Sequence, residues 1–301
     1  MKNPPLLKPN DLIYITAPAK AIDEHCVLFA KKLLEQKGYR VEVSPHCLGR
    51  HHYFSGTDEE RLADFQAGLD REDIKAILCA RGGYGCVRIL DRLNWDRFET
   101  NPKWLIGFSD VTVFHHRVVR LGSVGIHGSM PLNFEENTSA SIATILQAMQ
   151  GQPYHIKAPV ENCNVIGEAQ GTLIGGNLSI VYSMLGTDDA FDFTDALLFI
   201  EDISEQLYHV DRMFYTMKKA GILNQIKGLV VGGMTDMRDT AEPFGCSLEE
   251  LLISHVGSLG IPVAFGFPCG HQSDNQALIF GQKARLSVGN MGAELTMNDG
   301  I

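Results

Sequence analysis

The chain has 301 residues, 45% of them hydrophobic, enough to bury a full core and to build one large or two medium domains. Its 36 acidic residues outnumber 26 basic ones, giving a net charge of -10, and no Lys/Arg cluster forms a phosphate-tracking stripe, so nucleic acid is excluded as an expected partner. No apolar run approaches the roughly 18 residues of a membrane span, the first residues lack a signal-peptide core, and seven scattered cysteines include no CxxC pair, which together predict a cytoplasmic protein without membrane association.

In chain order, strand-like apolar runs at 12–17, 40–43, 74–80 and 105–108 alternate with helix-like segments at 23–37, from Asp58, after Gly85 and at 110–121. That alternation predicts parallel βαβ units with helices on both faces of a sheet. Thr57-Asp58-Glu59-Glu60 is a capping-box pattern, and Gly38 stands where a left-handed helix end is expected. A further helix at about 140–149 leads into a polar, proline-containing stretch, 153–166, which reads as an inter-domain linker. Beyond it the pattern is less regular. A glycine-rich strand, turn and helix at 171–186 precedes a strand at 197–201, a helix at about 208–220, a strand at 228–232 and a helix opened by Ser247-Leu248-Glu249-Glu250. Strands near 263–267, 284–288 and 293–297 complete it. The expected fold class is α/β in two domains: a parallel-sheet, Rossmann-like or flavodoxin-like domain at 1–152, and a smaller mixed α/β domain at 167–301.

The chemistry concentrates at predicted strand ends. Gly107-Phe108-Ser109-Asp110 follows the apolar run Trp104-Leu105-Ile106, so Ser109 falls on a strand-to-helix corner. There its hydroxyl is either a nucleophile beside helix-terminal N–H groups or a helix cap. A nucleophilic serine needs a base and a carboxylate to orient that base. His271 lies in a loop after the buried-strand pattern 261–268, and Glu201 closes the apolar run 196–200, with Asp202 its rival one residue on. Arg81-Gly82-Gly83-Tyr84-Gly85 also follows a strand and opens a helix. Its glycines fit a tight βα turn, a weak phosphate loop lacking GxGxxG spacing, or a second oxyanion donor at Gly83 beside the Asp110 N–H. Arg81, next to that loop, is the cation expected to meet a substrate carboxylate. The pairs His51-His52 and His115-His116 lie outside any HExxH pattern and read as surface or core residues, so no metal is expected.

Taken together, Ala80-Arg81-Gly82-Gly83-Tyr84-Gly85, Gly107-Phe108-Ser109-Asp110-Val111-Thr112, His127-Gly128-Ser129-Met130-Pro131, Gly175-Gly176-Asn177-Leu178-Ser179, Leu198-Phe199-Ile200-Glu201-Asp202, Asp211-Arg212-Met213 and Gly266-Phe267-Pro268-Cys269-Gly270-His271 resemble, in order, the motifs of the serine LD-carboxypeptidase family. That family comprises muramoyltetrapeptide carboxypeptidases and microcin C immunity proteins. The resemblance implies a Ser109, Glu201, His271 triad between two α/β domains and an oxyanion hole at Gly83 and Asp110. It also implies a homodimer, no metal, and release of terminal D-alanine from muropeptide tetrapeptides during cell-wall recycling; beside these, Arg81 and Gly82 are expected to contact the substrate, with no cofactor. Two other readings stand beside it: an immunity-type hydrolase of acyl-sulfamoyl adenylates, and a non-enzymatic small-ligand-binding α/β protein.

Overall fold

The computed structural model describes residues 2–298. The chain forms two compact units, the first made of Met1–Gln152 with Ser273–Ile279, the second of Pro153–Gln272 with Phe280–Ile301.

In the first unit the order is β1 (Leu12–Thr16), α1 (Glu24–Gln36), β2 (Arg40–Val43), α2 (Asp58–Asp70), β3 (Ile74–Cys79), α3 (Cys86–Leu90), α4 (Asp96–Thr100), β4 (Trp104–Ile106), α5 (Thr112–Arg120), β5 (Gly125–His127) and α6 (Ser139–Met149). Strands β1 to β5 pair in parallel, in the spatial order 5-4-3-1-2. Every residue of β1 and β4 is buried, as in a sheet covered on both faces. Helix ends follow local chemistry. The Asp23 side chain accepts from the His25 N–H to open α1, Thr57 and Glu60 form a reciprocal capping box on α2, and Gly38 takes φ 91° after α1.

The second unit contains β6 (Tyr154–Ala158), β7 (Gly167–Asn177), α7 (Leu178–Ser183), β8 (Ala196–Ile203), α8 (Leu207–Lys219), β9 (Gly228–Thr235), α9 (Leu248–Val256), β10 (Val263–Ala264), and, after β11 (Leu278–Phe280), β12 (Lys283–Gly289) and β13 (Gly292–Met297). Its sheet runs β10-β9-β8-β7-β12-β13-β6, with β7 to β10 parallel and the remainder antiparallel. Strand β11 instead joins the first sheet, at its edge beside β5.

Three sequence expectations need correction. The stretch 153–166 is not only a linker, because β6 is an edge strand of the second sheet. Its residues alternate buried and exposed, with Tyr154, Ile156 and Ala158 inward, but Pro153 and Pro159 bracket it and hide so short a period. Nor does the second unit hold all of 167–301, since Ser273–Ile279 belongs to the first. The helix expected from Asp110 begins instead as a 3-10 turn, Ser109–Val111, before α5.

Candidate active site

Strand β4 ends at Ile106, and Gly107, at φ 156°, starts the turn that carries Ser109. A side chain at Gly107 would meet both Val111 methyls at 3.0 Å, so only glycine lets the turn close this tightly. Ser109 itself has φ 62°, a left-handed conformation that costs a non-glycine residue about 1–3 kcal/mol and persists only where neighbours enforce it. Those neighbours are visible. The Gly107 N–H donates to Ile126 O at 3.0 Å, and Gly107 O accepts from His115 Nε2 at 2.8 Å. A carbonyl only accepts, so Nε2 carries the His115 proton. Burial pushes this imidazole down to about 3, opposed by that hydrogen bond, and it is a neutral strut behind the turn. The Ser109 side chain caps nothing: the 3-10 turn has Phe108 at its N-cap position and no side-chain cap bond. Of the two readings of Ser109, the cap therefore falls away.

Gly82 faces this serine. A Cβ on Gly82 would lie 3.1 Å from Ser109 Cβ and 3.3 Å from both Ser109 Oγ and the Asp110 nitrogen. Gly83 follows at φ 107°, and its N–H has no acceptor among the described residues. Asp110 N–H sits in the first turn of the helix, where backbone donors lack intrahelical acceptors. Backbone N–H groups of this kind are the donors that an oxyanion site requires.

The Asp110 side chain fastens the two loops together. Its Oδ2 accepts from the Cys86 N–H at 2.9 Å, at the start of α3, and burial raises its pKa against the pull of that bond. Arg61 does the same from the other side. It is 1% exposed, pairs with Asp58, and donates to the carbonyls of Pro18 and of Gly85, the latter at 3.0 Å. Sequence reading passed over both roles, although Arg61 set three residues after Asp58 inside an otherwise amphipathic helix was a signal of a buried pair. Arg81 is present beside the glycine turn, with its guanidinium donating to Ala21 O at 3.0 Å.

In the second unit, Glu201 lies in β8 with no solvent exposure, and its Oε2 is 2.5 Å from His271 Nδ1 and 3.2 Å from the His271 N–H. Burial works to lower the His271 pKa, but the Glu201 charge and hydrogen bond, with a smaller push from Asp202, hold it above its ordinary value. Bonded through Nδ1–H to a carboxylate, the ring leaves Nε2 as its basic atom. Gly270 permits the pair: it has φ 98°, and a Cβ there would meet Glu201 Cβ at 2.6 Å. Asp202 is not the partner of His271. Its carboxylate accepts from Asn177 Nδ2, the Ser179 N–H and hydroxyl, and the Ile203 N–H at 2.7–2.9 Å, closing the start of α7. Of the two histidine pairs, His115 and His116 lie in the core and His51 and His52 are exposed.

The first unit thus carries a strained serine on a strand-to-helix turn, the second a buried Glu–His pair, and the class of protein, a hydrolase, is given by the family to which both units belong. Residues 13–128 match the LD-carboxypeptidase N-terminal domain and residues 170–286 the LD-carboxypeptidase C-terminal domain, and the chain belongs to the LD-carboxypeptidase family of peptidases. It is similar to the probable murein peptide carboxypeptidase of Bacillus subtilis, 33% identical over 95% of this chain and 91% of that one. The murein tetrapeptide carboxypeptidase of Pseudomonas aeruginosa is 30% identical over 91% of this chain and 92% of its own. Among solved structures, muramoyltetrapeptide carboxypeptidase from Oxalobacter formigenes superposes with a TM-score of 0.87 at 29% identity, covering 96% of this chain and 99% of the other. The microcin C7 self-immunity protein MccF of Escherichia coli is 24% identical over 93% of this chain and 91% of its own, a likeness of fold. No helix among the described residues is long and apolar enough to cross a membrane.

Proposed function

We propose that this protein is a serine-type LD-carboxypeptidase that releases terminal D-alanine from muropeptide tetrapeptides, acting in the cytoplasm as a homodimer in cell-wall recycling. The observation that carries the reading is the left-handed Ser109 held between Gly82 and the Asp110 N–H, a strain with no structural use as a cap. Relatives named as murein peptide carboxypeptidases supply the substrate class.

In this reading His271 Nε2 takes the Ser109 proton as Oγ attacks the scissile carbonyl, and the N–H groups of Gly83 and Asp110 receive the resulting oxyanion. The same imidazole then protonates the departing D-alanine amine as the acyl-enzyme forms. Water, deprotonated in turn by His271, cleaves the ester and restores Ser109. Glu201 stabilises the imidazolium at each stage. Gly82 lets the substrate backbone approach the serine, and Arg81 belongs to the wall of the same site. No cofactor enters the scheme.

The test is incubation of the purified protein with tetrapeptides ending in D-alanine, carrying diaminopimelate or lysine at the third position, with free D-alanine read by mass spectrometry. Release from either supports the reading. No release, with cleavage of an aminoacyl-sulfamoyl adenylate instead, assigns the immunity-type reaction.

A further inference from the structure

A carboxypeptidase must recognise a free carboxylate three covalent bonds beyond the scissile carbonyl, so a cation has to stand close to the oxyanion donors. Arg81 is the obvious choice in sequence, but its guanidinium is already engaged, donating to Ala21 O at 3.0 Å. Its charge is also felt by Cys26 in α1. Another cation lies against the glycine turn itself. The Lys20 N–H donates to Gly82 O at 3.4 Å, and a Cβ built on Gly83 would meet Lys20 Cβ at 3.0 Å and Lys20 Cδ at 3.4 Å. The lysine stem thus lies along the donor residue, one position from the glycine that touches Ser109.

Its ammonium group has no carboxylate within ion-pair distance among the described residues, and rests 4.8 Å above the Tyr53 ring. A cation–π contact of this kind holds a lysine head in place without neutralising it. The Tyr53 hydroxyl also reaches the turn, 3.0 Å from where a Gly83 Cβ would be, so a hydroxyl donor stands beside the cation. Both come from a loop that is fixed: Phe54 bridges Lys20, Ala21 N–H donates to Tyr53 O, and Arg61 ties down Pro18 O and Gly85 O while stacking 4.7 Å over Phe54. An uncompensated cation and a phenol, pre-positioned beside an oxyanion donor, are the recognition chemistry of a carboxylate.

We propose that Lys20, assisted by Tyr53, binds the C-terminal carboxylate of the substrate and so makes the enzyme a carboxypeptidase, with Arg81 positioning the loop that carries Lys20. This rests on the peptidase reading above. The experiment compares the tetrapeptide with its C-terminal amide, measuring release of D-alanine and of D-alaninamide by wild-type protein and by Lys20→Met and Arg81→Met variants. Lys20→Met is expected to lower kcat/KM on the free acid by about 10- to 100-fold, mainly through KM, the cost of one lost charge-assisted bond, while leaving amide turnover unchanged. Arg81→Met is expected to lower both substrates together. An unchanged acid-to-amide ratio in Lys20→Met, or a ratio that collapses in Arg81→Met instead, overturns the assignment while leaving the peptidase intact. Wild-type protein inert toward both substrates refutes the peptidase reading itself.

Discussion

Replacing Glu201 with Gln isolates the charge of the buried carboxylate, because the amide keeps an oxygen to accept from His271 Nδ1–H. In the proposed mechanism an imidazolium forms 2.5 Å from Glu201, a residue with no solvent exposure. Opposite charges a few ångströms apart at an effective dielectric of about 20 interact by about 4 kcal/mol, so losing the carboxylate is expected to slow kcat by about three powers of ten. The pH profile supplies an independent sign. His271 must be neutral to act as a base, and Glu201 is the chief influence raising its pKa, so the acid limb of the wild-type kcat/KM profile lies above the ordinary histidine range. Without the Glu201 charge, the largest influence raising the pKa is gone, and the limb moves to lower pH: the variant is slow but keeps a larger fraction of its activity under acid. Stopped D-alanine assays from pH 5 to 9, with melting curves as a control for folding, measure both effects. A kcat within about threefold of wild type, or an acid limb that does not move, refutes the assignment of His271 as base and Glu201 as its counter-charge.

Ser109→Ala should abolish D-alanine release with little change in melting temperature, and a fluorophosphonate probe that modifies wild-type protein should then fail to label it; persistent turnover removes Ser109 from the chemistry. Gly82→Ala puts a methyl 3.1 Å from Ser109 Cβ and 3.3 Å from the Asp110 nitrogen, and displacing these groups by a few tenths of an ångström should cost about 10- to 100-fold in kcat in a folded protein. A separate prediction concerns stability. Lys103 is 1% exposed, donates to Leu69 O at 2.9 Å, and burial, with Lys75 adding, pushes its pKa down to about 8 from 10.5. Between those values the unfolded chain holds a proton the folded chain has released, so this group makes stability rise with pH across that window. The melting temperature of wild type relative to Lys103→Met should therefore climb from pH 8 to 10, and parallel curves would exclude the effect.

The parallel core of the first unit was legible because β1 and β4 are fully buried apolar runs and its helices carry caps of their own, as at Asp23 and Thr57. Short or amphipathic edges were not. Three-residue β5 is too brief for a period, and β11 pairs with a strand some 150 residues earlier, a contact no local pattern records. The site divides along the same line. Ser109 and His271 announce themselves at strand ends, whereas the choice between Glu201 and Asp202 depended on which face of β8 each side chain takes, one residue of alternation. Lys20 was silent in sequence because a lysine between alanines in a loop reads as solvent-facing until Gly83 and Tyr53 are placed against it.

The return of Ser273–Ile279 to the first unit governs how this chain can be cut and inherited. A fragment ending at Gln152 lacks β11 and leaves the edge of β5 uncovered, so the serine-bearing unit is not a portable cassette. His271 stands just two residues before that return, so any splice that exchanges the Glu–His unit for another must also supply a segment that completes its neighbour's sheet. A recombination inside such a chain therefore has to carry the returning segment together with the unit it completes.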